Sequence, residues 1–457
     1  MFRHATPALS APLRLSTGEL STGRGRLPGA GESSGERSLV ILEGPVADPP
    51  GPCGRAPSAR PRTVWTGESA VTDEEDLQTR RRTVWRAAER ALWRRPTELT
   101  MGERLAELTA GAGEVSDLGA FPDWYGSGVV EELERRVAGL LGLPAAVYFP
   151  TGTMAQQVAL RCWAERTGSR TVALHPLAHP ELHERGAFGA VSGLRTVHPT
   201  AEPRLPTAEE VRGFEEPFGA LMLELPLREA GFVLPSWEEL TEVTEAARER
   251  DAVVHFDGAR LWECPSHFGR PLHEIAALAD SVYVSFYKSL GGLAGAALAG
   301  PEDVVAEARA WRHRYGGLAF QQFPAVLSAL IGLERELPKL PSYAAQAKVV
   351  AAAMTEAFGE SPAPWFRVHP GTPHTHQFLV WLPYPPEVLM AASLALSEET
   401  GTTLFHFWSE ESRVPGISAS EVTVAEAGLE WTEADVKEAV AEFMVRVLRE
   451  AAAQEDD

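Results

Sequence analysis

The chain has 457 residues, 44% of them hydrophobic and 23% charged, which is enough for two or more domains around a sizeable core. Its 63 acidic and 42 basic side chains leave a formal charge of −21, which excludes the basic footprint of a nucleic-acid binder but not small anions held at local cations. Three widely spaced cysteines (Cys53, Cys162, Cys264) match neither a disulfide framework nor a zinc pattern, and no uncharged apolar run approaches a membrane span, so a cytoplasmic protein off the membrane is expected.

Residues 1–72 ("TGELSTGRGRLPGAGESSGER", "PVADPPGPCGRAPSARPRT") are rich in Gly, Pro, Ser and Arg and lack apolar periodicity. Such a segment buries too little surface to offset its ordering entropy, which predicts a disordered tail. Its glutamates (Glu19, Glu32, Glu36, Glu43) argue against a transit peptide. Helical signals begin near residue 76, and "VVEELERRVAGLLGL" (129–143) is a stronger amphipathic helix, stopped by glycine ahead of Pro144. Short apolar runs then alternate with helices: "AAVYF" (145–149), "TVAL" (171–174), "LRTVH" (194–198), "ALMLEL" (220–225), "AVVHFD" (252–257), "DSVYVSF" (280–286) and "AGAALAG" (294–300). Between the fourth and fifth, "SWEELTEVTEAARERD" (236–251) is a helix whose acidic start and basic end agree with its macrodipole. This alternation predicts a mainly parallel sheet covered on both faces, with ligands beyond the carboxyl ends of the strands. A long helix (about 342–357), "QFLVWL" (377–382) and a closing helix from 433 predict a smaller C-terminal α/β domain. The expected division is a large domain over 73–329, with a helical segment at its start, and a small one over 330–457.

Several strand ends carry chemistry. "YFPTGTMAQQ" puts Gly152 and Thr153 at a helix start, whose free amides make an anion site, although a Thr-Gly turn before a helix is also commonplace. "HPLAHPELHE" holds His175, His179 and His183; it lacks an acid-rich metal pattern, so loop or helix-start roles are favoured and no metal is expected. "VVHFDGARLWE" delivers Asp257 at the end of a buried-type strand, with Arg260 three residues on. "SVYVSFYKSLGG" ends in Ser285, two aromatics and Lys288. A strand-exit lysine is usually solvated, whereas one desolvated by aromatics loses its proton more easily and becomes a Schiff-base nucleophile. One cofactor uses all of these groups, pyridoxal 5'-phosphate. Its phosphate would lie on Gly152, Thr153 and Ser285, its ring nitrogen on Asp257 and its aldehyde on Lys288. Arg260 would stand near its phenolic oxygen or near a substrate carboxylate.

These motifs resemble those of the threonine aldolase and β-eliminating lyase group of fold-type-I pyridoxal phosphate enzymes, over about residues 120–330 and more loosely beyond. "YFPTGTMAQQVAL" is similar to the group's phosphate segment and "HPELHERGAFGAVSG" to its histidine-acid-glycine segment. "HFDGARLWE" and "SFYKSLGGLAG" are similar to its aspartate and lysine segments, and "DWYGSGVVEELE" to its Tyr-Gly segment. The resemblance implies an aspartate-aminotransferase-like large domain whose seven-stranded, mainly parallel sheet is sandwiched by helices. It implies His179 stacked on the cofactor ring, Tyr125 near the substrate, and a homodimer or homotetramer with sites at the subunit interface. The implied reaction is retro-aldol cleavage of a β-hydroxy-α-amino acid to glycine and an aldehyde, with Lys288, Asp257 and His179 as catalytic residues. β-Elimination, or another Cα reaction on a specialised amino acid, begins with the same Schiff base. A cofactor-binding protein without turnover is the alternative from another class.

Three segments depart from the group. For its Arg-Ser-Asp-Thr start the nearest stretch is "LWRRPTELT"; for its Glu-Asn-Thr-His-Asn-like loop this chain has "ELPLREAG"; and "SEVTVAEAG" offers no counterpart to its C-terminal arginine. The second loop puts Leu225, Pro226 and Leu227 where polar groups are expected. Apolar cover predicts that bulky or aromatic β-hydroxy amino acids, such as phenylserine, are cleaved better than threonine.

Overall fold

The structure, a computed structural model, describes residues 68–410 and 414–455, the side chains of 68–76 and 455 excepted. The tail expected over 1–72 lies outside the described residues as far as 67, and residues 68–72 already belong to a helix, Glu68–Ala87.

All seven apolar runs form strands of one sheet. They are β1 (Ala145–Phe149), β2 (Thr171–Ala173), β3 (Arg195–Val197), β4 (Ala220–Glu224), β5 (Val253–Gly258), β6 (Ser281–Ser285) and β7 (Ala296–Gly300), in the order β1-β7-β6-β5-β4-β2-β3. Only β7 runs against its neighbours, β1 and β6, so the sheet is mainly parallel as the alternation predicts. The reversal follows from the connection: residues 286–295 join β6 to β7 with no helix between, and a parallel return needs a longer crossover.

Helices cover both faces, among them α1 (Val129–Leu141), α2 (Gly152–Thr167) and α3 (Trp237–Arg248). On β6, Val282 and Val284 enter the core that α1 shares, while Tyr283 between them enters the core on the α2 side. Burial on both faces is why these strands read as unbroken apolar runs. A capping box starts α3, with Glu239 N donating to Ser236 Oγ at 3.2 Å and Ser236 N to Glu239 Oε2 at 2.7 Å.

The smaller C-terminal domain is built on an antiparallel sheet of β8 (Arg367–His369), β9 (Gln377–Leu382), β10 (Ser409–Glu410) and β11 (Ser418–Thr423), ordered β10-β11-β9-β8. Its core holds Phe378, Val380, Trp408 and Phe443, and also Trp85 and Leu92 from near the start of the described chain. Arg90–Ala91 pairs in parallel with Thr402–Thr403 beside it. Helix α4 (Leu340–Glu360) serves both cores, Leu340 and Tyr343 in the first and Ala347 to Phe358 in the second. Among the described residues no helix is long and apolar enough to cross a membrane.

Candidate functional site

Strand register sets the floor of the site. Glu224 at the end of β4 lies opposite Asp257 on β5, which lies opposite Tyr283 on β6. Gly152 opens α2 directly over Tyr283, so close that a Cβ there would overlap the tyrosine hydroxyl. Thr151 caps the helix by accepting from Met154 N at 3.3 Å, and the Gly152 and Thr153 amides that follow have no carbonyl within the helix to bond. The glycine therefore lets the start of the helix pack directly on the Tyr283 side chain, where any larger residue would force a shift.

Asp257 is 3% exposed and accepts a hydrogen bond from Ala259 N at 3.1 Å. Burial pushes its carboxyl above the ordinary value, the Glu184 carboxylate adds to this, and Lys288 and the Gln156 amide oppose it. Glu224 is also raised, by burial first and then by Asp257, although it accepts from His179 N at 2.8 Å and Arg228 N at 3.2 Å. Its carboxylate thus fixes the start of the short helix His179–His183. The His179 ring stands half in solvent, with Nδ1 3.4 Å from Glu184 Oε1.

Lys288 follows β6 by three residues, its ammonium 5.3 Å from the Tyr287 ring centre. Burial, then the Arg260 and Arg228 guanidiniums, push its amine down to about 8. Arg260 lies over the Phe232 ring at 5.2 Å and has no ion-pair partner among the described residues. Lys288 and Arg260 open into one cleft of about 1740 Å³, which Arg228, His183 and Glu421 also line.

The remaining expected residues are placed as follows. Ser285 is fully buried and donates to Ala259 O at 2.9 Å, holding the turn after Asp257. Tyr125 is 54% exposed, packs edge-on against Phe320 at 5.4 Å, and does not line this cleft. His175 is buried, with Nε2 2.6 Å from Glu202 O, whereas His183 reaches Glu229 Oε1 at 2.9 Å. The loop after β4 needs a correction. Leu225, Pro226 and Leu227 do not face the cleft; they are buried, and both leucines belong to the main core. The cleft side of that loop is Arg228 and Glu229, and Arg228 pairs with Glu229 and with Glu421 of β11. The basis for preferring aromatic substrates is therefore absent.

Sequence reasoning missed Glu224, although it ends an apolar strand just as Asp257 does. It also missed a buried group beneath Lys288, where Ser289 donates to Glu263 and His376 Nε2 lies 3.4 Å from the same carboxylate. Despite burial, His376 holds Glu263 below the usual carboxylate range, and Glu263 holds His376 above the usual imidazole value.

The sequence model of the beta-eliminating lyases matches residues 122–365, more than half of the chain. The chain belongs to the beta-eliminating lyase family. Among its relatives, the low specificity L-threonine aldolase of Escherichia coli is 31% identical over 225 residues, covering 48% of this chain and 67% of that protein. Low-specificity L-threonine aldolase 1 of Arabidopsis thaliana is 27% identical over 237 residues; the match takes in 50% of this chain but just under two thirds (66%) of that relative. A Listeria monocytogenes crystal structure, provisionally named an L-allo-threonine aldolase, is 34% identical with a TM-score of 0.72, over 81% of this chain and 99% of that one. The family match takes in Gly152, Asp257, Arg260 and Lys288, and stops short of Glu421.

Proposed function

We propose that this family member binds pyridoxal 5'-phosphate and cleaves a β-hydroxy-α-amino acid by a retro-aldol reaction, giving glycine and an aldehyde. The observation that carries this reading is Lys288. Its amine is pushed down to about 8 from 10.5, in a cleft shared with Arg260, which has no ion-pair partner among the described residues. A lysine so disposed is partly neutral at working pH and therefore nucleophilic.

The residues present fit the cofactor. Gly152 packs directly on Tyr283 with no room for a Cβ, and the free Gly152 and Thr153 amides at the start of α2 suit a phosphate. Buried Asp257 suits a protonated ring nitrogen, and Lys288 the aldehyde. When bound, the cofactor supplies an electron sink for the pair left at Cα as the Cα–Cβ bond breaks. Arg260 takes the substrate carboxylate. Glu224 holds the backbone of His179, whose ring would stack on the cofactor and would accept the β-hydroxyl proton directly or through a water.

We assign the chain a homodimeric or homotetrameric state. The exposed side chains of Phe121 (99%), Trp124 (68%), Tyr125 (54%) and Phe320 (57%) form a surface suited to a second copy, and Tyr125 would reach a site only across it. The small domain begins within α4, near Ala347 rather than at the expected 330, because Leu330, Leu333, Leu340 and Tyr343 pack in the main core, and it takes in the segment around Trp85 and Leu92. Cys162 and Cys264, free and buried, are consistent with a cytoplasmic location.

The test is glycine release from a panel of β-hydroxy amino acids by protein loaded with pyridoxal phosphate. Lys288→Ala should abolish both turnover and borohydride-fixed cofactor. Cofactor still fixed in that variant, or no glycine from any member of the panel, would sink the reading.

A further inference from the structure

His255 is a fully buried histidine that the proposed reaction does not use. It lies two residues before Asp257 on β5, so both side chains point to the α2 side of the sheet. Ser281 of β6 stands opposite it in register, and from the inward face of α2 Gln156 reaches His255 while Trp163 reaches Ser281. Four hydrogen-bonding side chains thus meet in a dry layer, where each proton must have a definite owner.

Indole nitrogen can only donate, and although a hydroxyl can accept twice, Ser281 Oγ has no partner besides Trp163 and His255 among the described residues, so its own proton goes to His255. Trp163 Nε1 lies 2.7 Å from Ser281 Oγ, so the serine oxygen accepts there. The serine proton is then free for His255 Nδ1, 2.8 Å away. With Nδ1 accepting, the single proton of a neutral ring sits on Nε2, which donates to Gln156 Oε1 at 2.7 Å. Burial keeps the ring neutral by pushing its pKa down to about 3. Gln156 then has only its amide protons left. Its Nε2 is buried and makes no hydrogen bond among the described residues, on the face of β5 that His255 shares with Asp257, the charged group nearest to hand for its protons.

The reverse order is chemically distinct. Were the ring proton on Nδ1, the Gln156 amide would turn round and present its oxygen, a surface that suits a protonated aspartic acid. We infer that His255 is a positioning residue: its Nε2–H tautomer, committed by Trp163 through Ser281, turns the Gln156 donors toward Asp257 and selects the ionised carboxylate. The relevance to the cofactor rests on the function proposed above, because an ionised Asp257 is what keeps the ring nitrogen protonated. The tautomer itself does not depend on that reading.

The experiment has two arms, both on the full-length chain. With 15N-labelled histidine, long-range 1H–15N correlation reads the His255 tautomer before and after addition of pyridoxal phosphate, the signal being assigned by its loss in His255→Phe. The expected result is a neutral ring protonated at Nε2 and unchanged between about pH 6 and 9. A ring protonated at Nδ1, or an imidazolium, overturns the proposal. In the second arm, Gln156→Leu should weaken pyridoxal phosphate binding roughly tenfold or more, as expected for losing a hydrogen bond to a charged group. The 15N resonance of ring-labelled cofactor should also move toward neutral pyridine. Ser192→Ala, which removes the partner of the neighbouring Gln157, should change neither. Gln156→Leu with unchanged affinity and a protonated ring overturns the proposal as well. If Gln156→Leu does not fold, Trp163→Phe replaces it: losing the committing donor should let His255 populate both tautomers, and a single tautomer at Nε2 would refute the relay. A wild-type chain that takes up no pyridoxal phosphate would refute the cofactor assignment, and the tautomer would still decide the role of His255.

Discussion

Lys288→Met should make the cofactor-free protein more stable. The lysine is held as a cation in a site where burial and two guanidiniums oppose its charge, lowering its pKa from 10.5 to about 8. At about 1.4 kcal/mol for each pH unit, that drop is a penalty of at most about 3 kcal/mol on the folded state while the amine is charged in both states. Lys288 is only partly buried, so water screens some of this, and about 1–3 kcal/mol is the expected gain when methionine fills the same space without charge. The sign with pH follows directly. Below pH 8 the amine is charged in both folded and unfolded chains, and the full penalty applies. Between about 8 and 10.5 the folded chain has lost the proton and the unfolded chain has not, so the penalty shrinks. Above 10.5 both are neutral and the advantage of methionine disappears.

Urea unfolding of both proteins, stripped of cofactor, at about pH 7 and again near the lysine's ordinary pKa measures this without needing turnover. Equal slopes let the midpoint difference be read as a stability difference. A variant less stable than wild type at neutral pH, or a gain that persists undiminished at high pH, would show that Lys288 is not a desolvated cation. The nucleophile assignment would fall with it.

Asp257→Asn should still take up pyridoxal phosphate through Gly152 and Lys288, but at least as weakly as Gln156→Leu, and lose most turnover, because a neutral amide cannot keep the ring nitrogen protonated; normal turnover would exclude Asp257 as the ring partner. Gly152→Ala should fold but retain little cofactor, since its Cβ meets the Tyr283 hydroxyl, and Gly152→Ala combined with Tyr283→Phe should recover part of it in a cofactor titration. Leu227→Ala should cost about 2–5 kcal/mol of stability as a core truncation while leaving the ratio of kcat/KM for phenylserine and threonine unchanged. Glu263→Gln should destabilise by about 3–5 kcal/mol at pH 6 by stranding the His376 imidazolium. The loss should shrink as pH rises, because a raised histidine contributes only until pH passes its folded pKa, above the ordinary 6.5.

The large sheet was legible because its strands are short, apolar and punctuated by helices, and chemistry-bearing residues such as Glu224 and Asp257 fall at or just beyond some carboxyl ends. Asp257 follows that pattern, whereas Lys288 lies three residues past its strand and Gly152 was read from a helix start. Leu225 and Leu227 show where the pattern stops. An apolar residue after a strand end can continue into the core or turn to the ligand, and only the path of the loop decides which. The antiparallel β7 was hidden for a similar reason, since a buried apolar strand reads the same in either direction.

The small domain's share in the site lay beyond any local pattern. Glu263 follows Asp257 in the same motif, yet its partner His376 is more than a hundred residues away, beside β9, and itself reaches Val424 O at 2.7 Å. Such a contact joins two folding units and leaves no periodicity in either. Its physical content is nonetheless plain from charge alone. A carboxylate 2% exposed cannot remain ionised without a cation, and His376 supplies one from the small domain. That carboxylate accepts the hydroxyl proton of Ser289, the residue immediately after Lys288. The small domain therefore reaches the surroundings of Lys288 twice, through His376 and Glu263 to Ser289 and through Glu421 to Arg228, whose charge bears on the Lys288 amine.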